Sequence, residues 1–261
     1  MTVLGFVLGS AYAKQPWQGV TFEALRVPTP FGPARVHRAH LGAQRTVLVV
    51  YRHGVPHALL PNQINFRANA WALHALGAQA CVLTSSVGVL DAGVPLNQPL
   101  LVEDLLMPDH RLPDGSLCTM WPEPTPGQGH LVLQDGLFST ELGAQALEVS
   151  GLGASTRRVV FAYVPGPRTK SAAENAYWAA LGAQVNSMSV GPEVVLANEL
   201  ETPTIALVSG HKVSRQRASH PGSTQEVAAS LDQARQTMHA AIEALMYGLE
   251  PVAFGNTIYR F

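Results

Sequence analysis

The stretch Arg45-Thr46-Val47-Leu48-Val49-Val50-Tyr51 decides the fold, together with the forty residues after it. It is apolar and β-branched, as expected of a strand buried on both faces. Arg52-His53-Gly54 closes it. After Pro61-Asn62, the residues Ile64, Ala68, Trp71, Ala72 and Ala75 recur at three- and four-residue spacing, a helical stripe that Gly77 stops. Ala80-Cys81-Val82-Leu83-Thr84 reads as the next buried strand, followed by a polar turn at Ser85-Ser86 and Gly88. Strand, helix and strand in succession are the unit of an α/β sheet.

The same alternation extends in both directions. Upstream, Thr2 to Leu8 has strand length, and Val20–Val27 with Ala34–His40 flank the turn Pro28-Thr29-Pro30-Phe31-Gly32. Downstream, strands are expected over Leu100–Leu106, Arg158–Val164, Val185–Met188 and Thr204–Ser209. Helices are expected over Thr140–Val149, Ala172–Leu181, Pro192–Leu200 and Ser223–Met246, the last with Ser223-Thr224-Gln225-Glu226 as a capping region. Pro108 to Gly129 is rich in Pro and Gly and is the one long irregular stretch, with Trp121 as its packed anchor. The tetrapeptide Leu-Gly-Ala-Gln starts at Leu41, Leu76, Leu142 and Leu181, but its uneven spacing argues against a repeat architecture. At Leu76 and Leu181 it marks a helix end with a glycine cap. The expectation is an α/β fold, a single domain over residues 1–261, with a twisted, mixed and mostly parallel sheet surrounded by helices.

Composition narrows the function. Of 261 residues, 47% are hydrophobic and only 13% charged, with 17 basic against 18 acidic residues and a net charge of −1. Disorder needs the opposite balance. Nucleic-acid binding through phosphates needs a basic surplus that is absent here. The thin ionic coat hints at surface hidden in an oligomer. Two cysteines, Cys81 and Cys118, make no disulfide framework or CxxC pair, and the ten histidines include no HExxH motif. No apolar run approaches the roughly 20 residues that span a bilayer. The apolar start, Met1 to Leu8, lacks a basic leader. A soluble, cytoplasmic protein without metal is expected.

In open α/β sheets, ligands bind beyond the carboxyl ends of strands. The residues there are Gly9-Ser10, Arg52-His53-Gly54, Ser85-Ser86, Gly166-Pro167-Arg168, Met188-Ser189 and Ser209-Gly210-His211. Hydroxyls, glycine turns and a guanidinium suit an oxyanion such as phosphate. Neither a Walker lysine loop nor GxGxxG is present, so a nucleoside triphosphate or a dinucleotide has no support.

Several separated motifs then align with one family. Arg52-His53-Gly54-Val55-Pro56-His57, Pro61, Asn65, Ala68-Asn69 and Trp71-Ala72-Leu73 closely resemble the methylthioadenosine and purine nucleoside phosphorylases. Thr84-Ser85-Ser86-Val87-Gly88, His130 with Phe138, Gly166-Pro167-Arg168 with Ala173-Glu174, and Met188 through Ala197 come in the same order. The resemblance implies a homotrimer of the nucleoside phosphorylase fold. It implies cleavage of a purine nucleoside's N-glycosidic bond by inorganic phosphate, with no other cofactor. By the same resemblance, Ser10, Arg52, His53, Ser86 and Ser189 hold phosphate. Met188 packs under the ribose, and Ser85 and Thr169 belong to the substrate site. His57 lines the 5′ side of the sugar, with His130 and Phe138 from a neighbouring subunit.

The pattern breaks at the base. Where the family has an acidic or amide residue after the strand Thr204–Ser209, this chain has His211, followed by Lys212 and Val213. Where its two branches have Phe-Glu or Phe-Ser, it reads Thr169-Lys170. Three readings compete: a phosphorylase in which His211 donates to purine N7 and Lys170 faces a carbonyl oxygen, phosphorolysis of a non-standard nucleoside, or a non-catalytic binding paralogue. Arg52→Ala is expected to raise the phosphate requirement with the fold intact. His220 and Thr224 are candidates for tuning 5′ specificity, although an ordinary loop role is the simpler reading. His74 is expected to meet solvent or local backbone. His37 and His40, alternating with Arg35 and Arg38, read as a solvated face on an edge strand.

Overall fold

In the computed structural model, which describes residues 1–12, 17, 19–214 and 224–260, the chain opens with strand β1 (Thr2–Leu8). The hairpin β2 (Glu23–Val27) and β3 (Ala34–Leu41) leads into β4 (Arg45–Tyr51), helix α1 (Phe66–Ala75) and β5 (Ala80–Val89). Next come β6 (Pro99–Leu106), a long irregular segment, β7 (Gly129–Val132), α2 (Thr140–Val149), β8 (Arg158–Tyr163) and α3 (Ala172–Ala180). The chain continues through β9 (Val185–Ser187), α4 (Gly191–Glu199), β10 (Thr204–Val213), α5 (Thr224–Gly248) and β11 (Thr257–Arg260).

The main sheet runs β10-β6-β8-β9-β5-β1-β4-β3-β2, and β10 pairs with β5 as well. Five strands therefore close on themselves as a small barrel, from which β1, β4, β3 and β2 extend as an open wing. β5 serves both parts. Its first half pairs with β1, from Ala80 opposite Leu4 to Leu83 opposite Val7. Its far end pairs with β9, and β10 accompanies it from Cys81 to Val89.

Closure changes several expectations. The β2–β3, β3–β4, β5–β9 and β6–β10 pairings are antiparallel, whereas β1–β4, β1–β5, β5–β10, β6–β8 and β8–β9 are parallel, so the sheet is mixed with parallel pairing in the majority, as expected. β5 continues through Ser85, Ser86 and Gly88, where a turn was expected, because β10 and β9 supply ladder partners along both edges. β10 likewise continues to Val213, which places His211 in a strand. β3 is interior and β2 forms the edge. His40 is exposed, as expected, with its Nδ1 3.0 Å from Thr46 Oγ1, whereas His37 is half-buried and packs edge-on against Tyr51 at 5.0 Å. β7 and β11 form a separate two-stranded ribbon.

Alternation in the central strands separates two cores. Val3 and Val7 of β1, with Leu48 and Val50 of β4, pack with Ala68, Ala72 and Leu73 of α1. Leu4, Phe6, Leu8, Val47 and Val49 face Leu142 of α2 and Ile242 and Leu245 of α5. A strand buried on both faces is what the apolar runs encode. The cap residues agree with the sequence: Asn65 accepts from Ala68 N at the start of α1, and Gly77 and Gly182, with φ of +85° and +95°, come just after the ends of α1 and α3. Cys81 and Cys118 are buried free thiols, and Trp121 packs against the cluster of Met120, Leu112 and Leu196. Exposed His74 agrees with its solvent reading. No described helix is long and apolar enough to cross a membrane. His220 and Ser223, and the side chain of Thr224, lie outside the described residues.

Candidate active site

The carboxyl ends of β1 and β4 and the middle of β5 meet the β9–α4 turn, and this junction gathers most of the polar groups singled out above. Arg52 directly follows β4 and is 2% exposed. Its Nε and Nη2 donate to the two carboxylate oxygens of Glu193, at 2.5 and 2.6 Å, and Nη1 donates to Thr84 O at 2.8 Å. A buried guanidinium is tolerated only when paired in this manner. Gly9 passes so close that a Cβ there would lie 3.3 Å from Arg52 Nη1. Ser10, exposed, begins the 3-10 turn after it. That turn is pinned by stacking of Tyr12 on Trp17 and of Trp17 on His239 of α5.

Beside Arg52 lies a cluster of hydroxyls. Ser85 Oγ is 2.8 Å from Ser189 Oγ and 3.2 Å from Ser187 Oγ. Ser187 also donates to Ser86 O. A narrow cleft opens here, lined by Gly9, Tyr12, Thr84, Ser85, Ser86, Ser209, Arg235 and Met238. Ser209 Oγ is buried and has no hydrogen-bond partner among the described residues. A buried hydroxyl in that condition is costly unless something else satisfies it.

His53 and His57 stack at 4.6 Å, and His53 Nδ1 is 2.9 Å from Leu59 O. Burial, more than any neighbouring charge, lowers the pKa of His53 below the ordinary imidazole value. His57 is exposed, at the rim. Met188 packs against Gly166 so closely that a Cβ on Gly166 would lie 2.6 Å from its Sδ.

The two residues at the break in the pattern behave differently from each other. His211 is pushed down to a pKa of about 4, chiefly by burial and also by adjacent Lys212, and it hydrogen-bonds the Val87 backbone. It is a neutral imidazole at physiological pH. Lys170 is half-buried; its Nζ donates to Pro165 O at 3.1 Å and lies 3.4 Å from Val164 O and Arg168 O. Burial draws its pKa down to about 8. Thr169 is exposed, and Arg168 pairs with Glu174 at 2.7 Å in the first turn of α3.

The two residues expected to serve a neighbouring subunit's site do not line this cleft. His130 is exposed on β7, against Tyr259 of β11. Phe138, expected to reach a neighbour's site, is 5% exposed and packed in its own protomer's core. The residue before the N-cap Ser139 of α2 is drawn inward because α2 must bury Leu142 and Ala146. The sequence reading assigned no role to Glu193, Ser187 or Arg235. Glu193 lies inside the Met188–Ala197 motif, but nothing in its spacing shows that its carboxylate reaches Arg52. Among the described residues, no group of three or more His, Cys, Asp or Glu could hold a metal ion.

A barrel-and-wing sheet with a hydroxyl-rich, guanidinium-backed cleft at its strand ends defines a class of α/β protein suited to oxyanions. Residues 16–246 match the profile of the phosphorylase superfamily, and the chain belongs to that family. It is 32% identical over 206 residues to a probable S-methyl-5′-thioinosine phosphorylase of Methanopyrus kandleri, covering 77% of this chain and 75% of that protein. It is 33% identical over 236 residues to a purine nucleoside phosphorylase of Streptomyces coelicolor, covering 85% and 82%. The fold is similar to that of the adenosine/methylthioadenosine phosphorylase of Schistosoma mansoni, solved with methylthioadenosine. The TM-score is 0.80 at 17% identity, over 94% of this chain and 91% of that one.

Proposed function

We propose that the protein is a pentosyltransferase of purine salvage that cleaves 6-oxopurine nucleosides, including 5′-methylthio forms, with inorganic phosphate. The observation that carries this reading is the convergence of Arg52, Ser85, Ser86 and Ser189 beside the Gly9-Ser10 turn, at one end of the sheet. Such a set offers phosphate several directional donors in a dry site. Relatives named S-methyl-5′-thioinosine phosphorylase and 6-oxopurine nucleoside phosphorylase support an oxo base.

In the reaction, a phosphate oxygen forms a bond to C1′ of the ribose while the bond from C1′ to purine N9 breaks. The bond's electron pair departs with the base, and the proton that hydrogen phosphate loses on becoming the ester ends on the base, giving free base and ribose 1-phosphate. Positioning the dianion and stabilising charge on the leaving base are the enzyme's main tasks. His53 holds the phosphate edge and His57 the 5′ side, with Met188 under the ribose. Neutral His211 carries a single N–H, and it donates to N7 by exchanging its Val87 backbone contact for the base. Lys170 faces the 6-carbonyl oxygen after exchanging a loop carbonyl for it.

Ser10 and Thr169 complete the phosphate and sugar contacts. The working unit is a homotrimer in which His130 of one protomer reaches its neighbour's sugar site. Phosphate is the sole co-substrate. Buried free thiols are in keeping with a reducing, cytoplasmic setting.

The test is a panel of inosine, guanosine, adenosine and their 5′-methylthio forms, each with and without phosphate. Base release from the 6-oxo nucleosides only with phosphate is the expected result. Release without phosphate would make it a hydrolase. Binding without turnover would make it a binding protein, and preference for adenosine would overturn the assignment of Lys170 and His211.

A further inference from the structure

Val190, between Ser189 and α4, has φ of +66° and ψ of −53°. Gly191 N donates to Ser189 O at 2.7 Å across it. These are the marks of a γ-turn of the rare, positive-φ kind. For a β-branched residue this backbone is a true outlier, because its branched Cβ crowds the carbonyl oxygens. Such strain persists only when the surroundings over-determine it, and it collects at functional sites.

Three contacts hold the turn. Val190 N donates to Glu193 Oε2 at 3.0 Å. The Val190 side chain is wholly buried. Gly191 sits against Tyr163 so tightly that a Cβ would lie 2.6 Å from Tyr163 Cβ. The carboxylate that holds the Val190 N–H is the one that also receives Arg52 Nε and Nη2. Glu193 is therefore a clasp between two elements that reach the cleft separately. One is the end of β4, which brings Arg52. The other is the β9–α4 turn, which brings Ser189 to within 2.8 Å of Ser85.

We infer that Glu193 is a positioning residue for the anion site, and that it fixes Ser189 by holding Val190 in its strained γ-turn while orienting Arg52. This rests on the proposed reading of Arg52 and Ser189 as phosphate ligands. A purely structural ion pair would affect stability and both substrates together. A clasp affects phosphate selectively, because on the proposed reading both groups that it holds are phosphate ligands.

The experiment compares the intact enzyme with Glu193→Gln, Ser189→Ala and the double variant, measuring KM for phosphate and for nucleoside separately. Phosphate-induced rise in Tm provides a readout independent of turnover. Gln cannot serve three donors, since one of its two terminal atoms is itself a donor. Glu193→Gln is expected to raise the phosphate KM about tenfold or more, the scale of one misaligned charge-assisted bond, with nucleoside KM within about twofold. The double variant is expected to be little worse than the weaker single variant, because the hydroxyl being positioned is already gone. A folded Glu193→Gln protein with unchanged phosphate KM, or effects that multiply independently, would overturn the inference.

If Glu193→Gln does not fold, Val190→Gly carries the test. It leaves the Arg52–Glu193 pair in place but frees the turn, so phosphate KM should rise severalfold with nucleoside KM steady. An unchanged value there overturns the clasp. By contrast, Ser189→Ala and Arg52→Lys leaving phosphate KM untouched would sink the anion-site reading itself.

Discussion

At Arg52, binding and folding cannot be separated. The sequence suggested that Arg52→Ala would leave the fold intact. The side chain is in fact buried and paired twice with Glu193, so its removal strands a carboxylate in the interior. Breaking a buried pair in this way costs about 3–5 kcal/mol. Denaturant unfolding of Arg52→Ala should show a loss of that size, alongside the rise in phosphate KM. His211 and Lys170 set the pH behaviour. His211 titrates near 4 in the folded chain against 6.5 as a free imidazole, so the unfolded chain binds the extra proton within that window. Stability should be complete above pH 6.5 and fall as pH drops toward 4, which urea titrations at several pH values would register. Lys170 loses its charge as pH rises through about 8. If its cation serves the base, kcat/KM should decline through that point, and Lys170→Met should abolish the decline.

At the scale of elements, helices were more legible than strand ends. The expected span of α2 agrees with the structure, and those of α1, α3 and α4 lie within a residue or two of it, because apolar periodicity and caps are local signals. Ser171 accepts from Glu174 N while the Glu174 carboxylate accepts from Ser171 N, a capping box at the exposed start of α3. Ser171→Ala should cost about 1 kcal/mol, read as a shift in urea midpoint at constant m. The far ends of β5 and β10 were not legible. Ser85-Ser86 and Gly210-His211 carry turn chemistry, and only pairing between distant segments overrides it. The ribbon of β7 and β11 was missed for the same reason: four residues each, with little apolar alternation. Gly166 tests the ribose side. Gly166→Ala would drive a methyl into Met188 Sδ and against Pro61, so nucleoside KM should rise more than phosphate KM in steady-state kinetics.

On the scale of the whole molecule, most of the proposed anion set could be named from strand ends alone, since a sheet places its carboxyl ends together. Phe138 could not be placed that way, because burial depends on how α2 docks. The burial of Phe138 leaves His130 as the one expected cross-subunit group that is exposed on the protomer. The chain's low charge, 13%, is consistent with area covered by copies of itself. Sedimentation equilibrium should return three times the 27.8 kDa chain mass. A monomer with full activity would remove His130 from the proposed site.

The closure of the barrel sets an order in time. β5 and β10 meet in register, Cys81 beside Thr204 and Ser86 beside Ser209, although most of the intervening chain separates them in sequence. Loop-closure entropy must be met before such a seam gains anything from its contacts, which makes it a late event. Helices and the wing formed by β1 to β4 can mature first. During refolding, far-UV ellipticity should therefore recover ahead of phosphate-dependent turnover, and the interval between them times the joining of that seam.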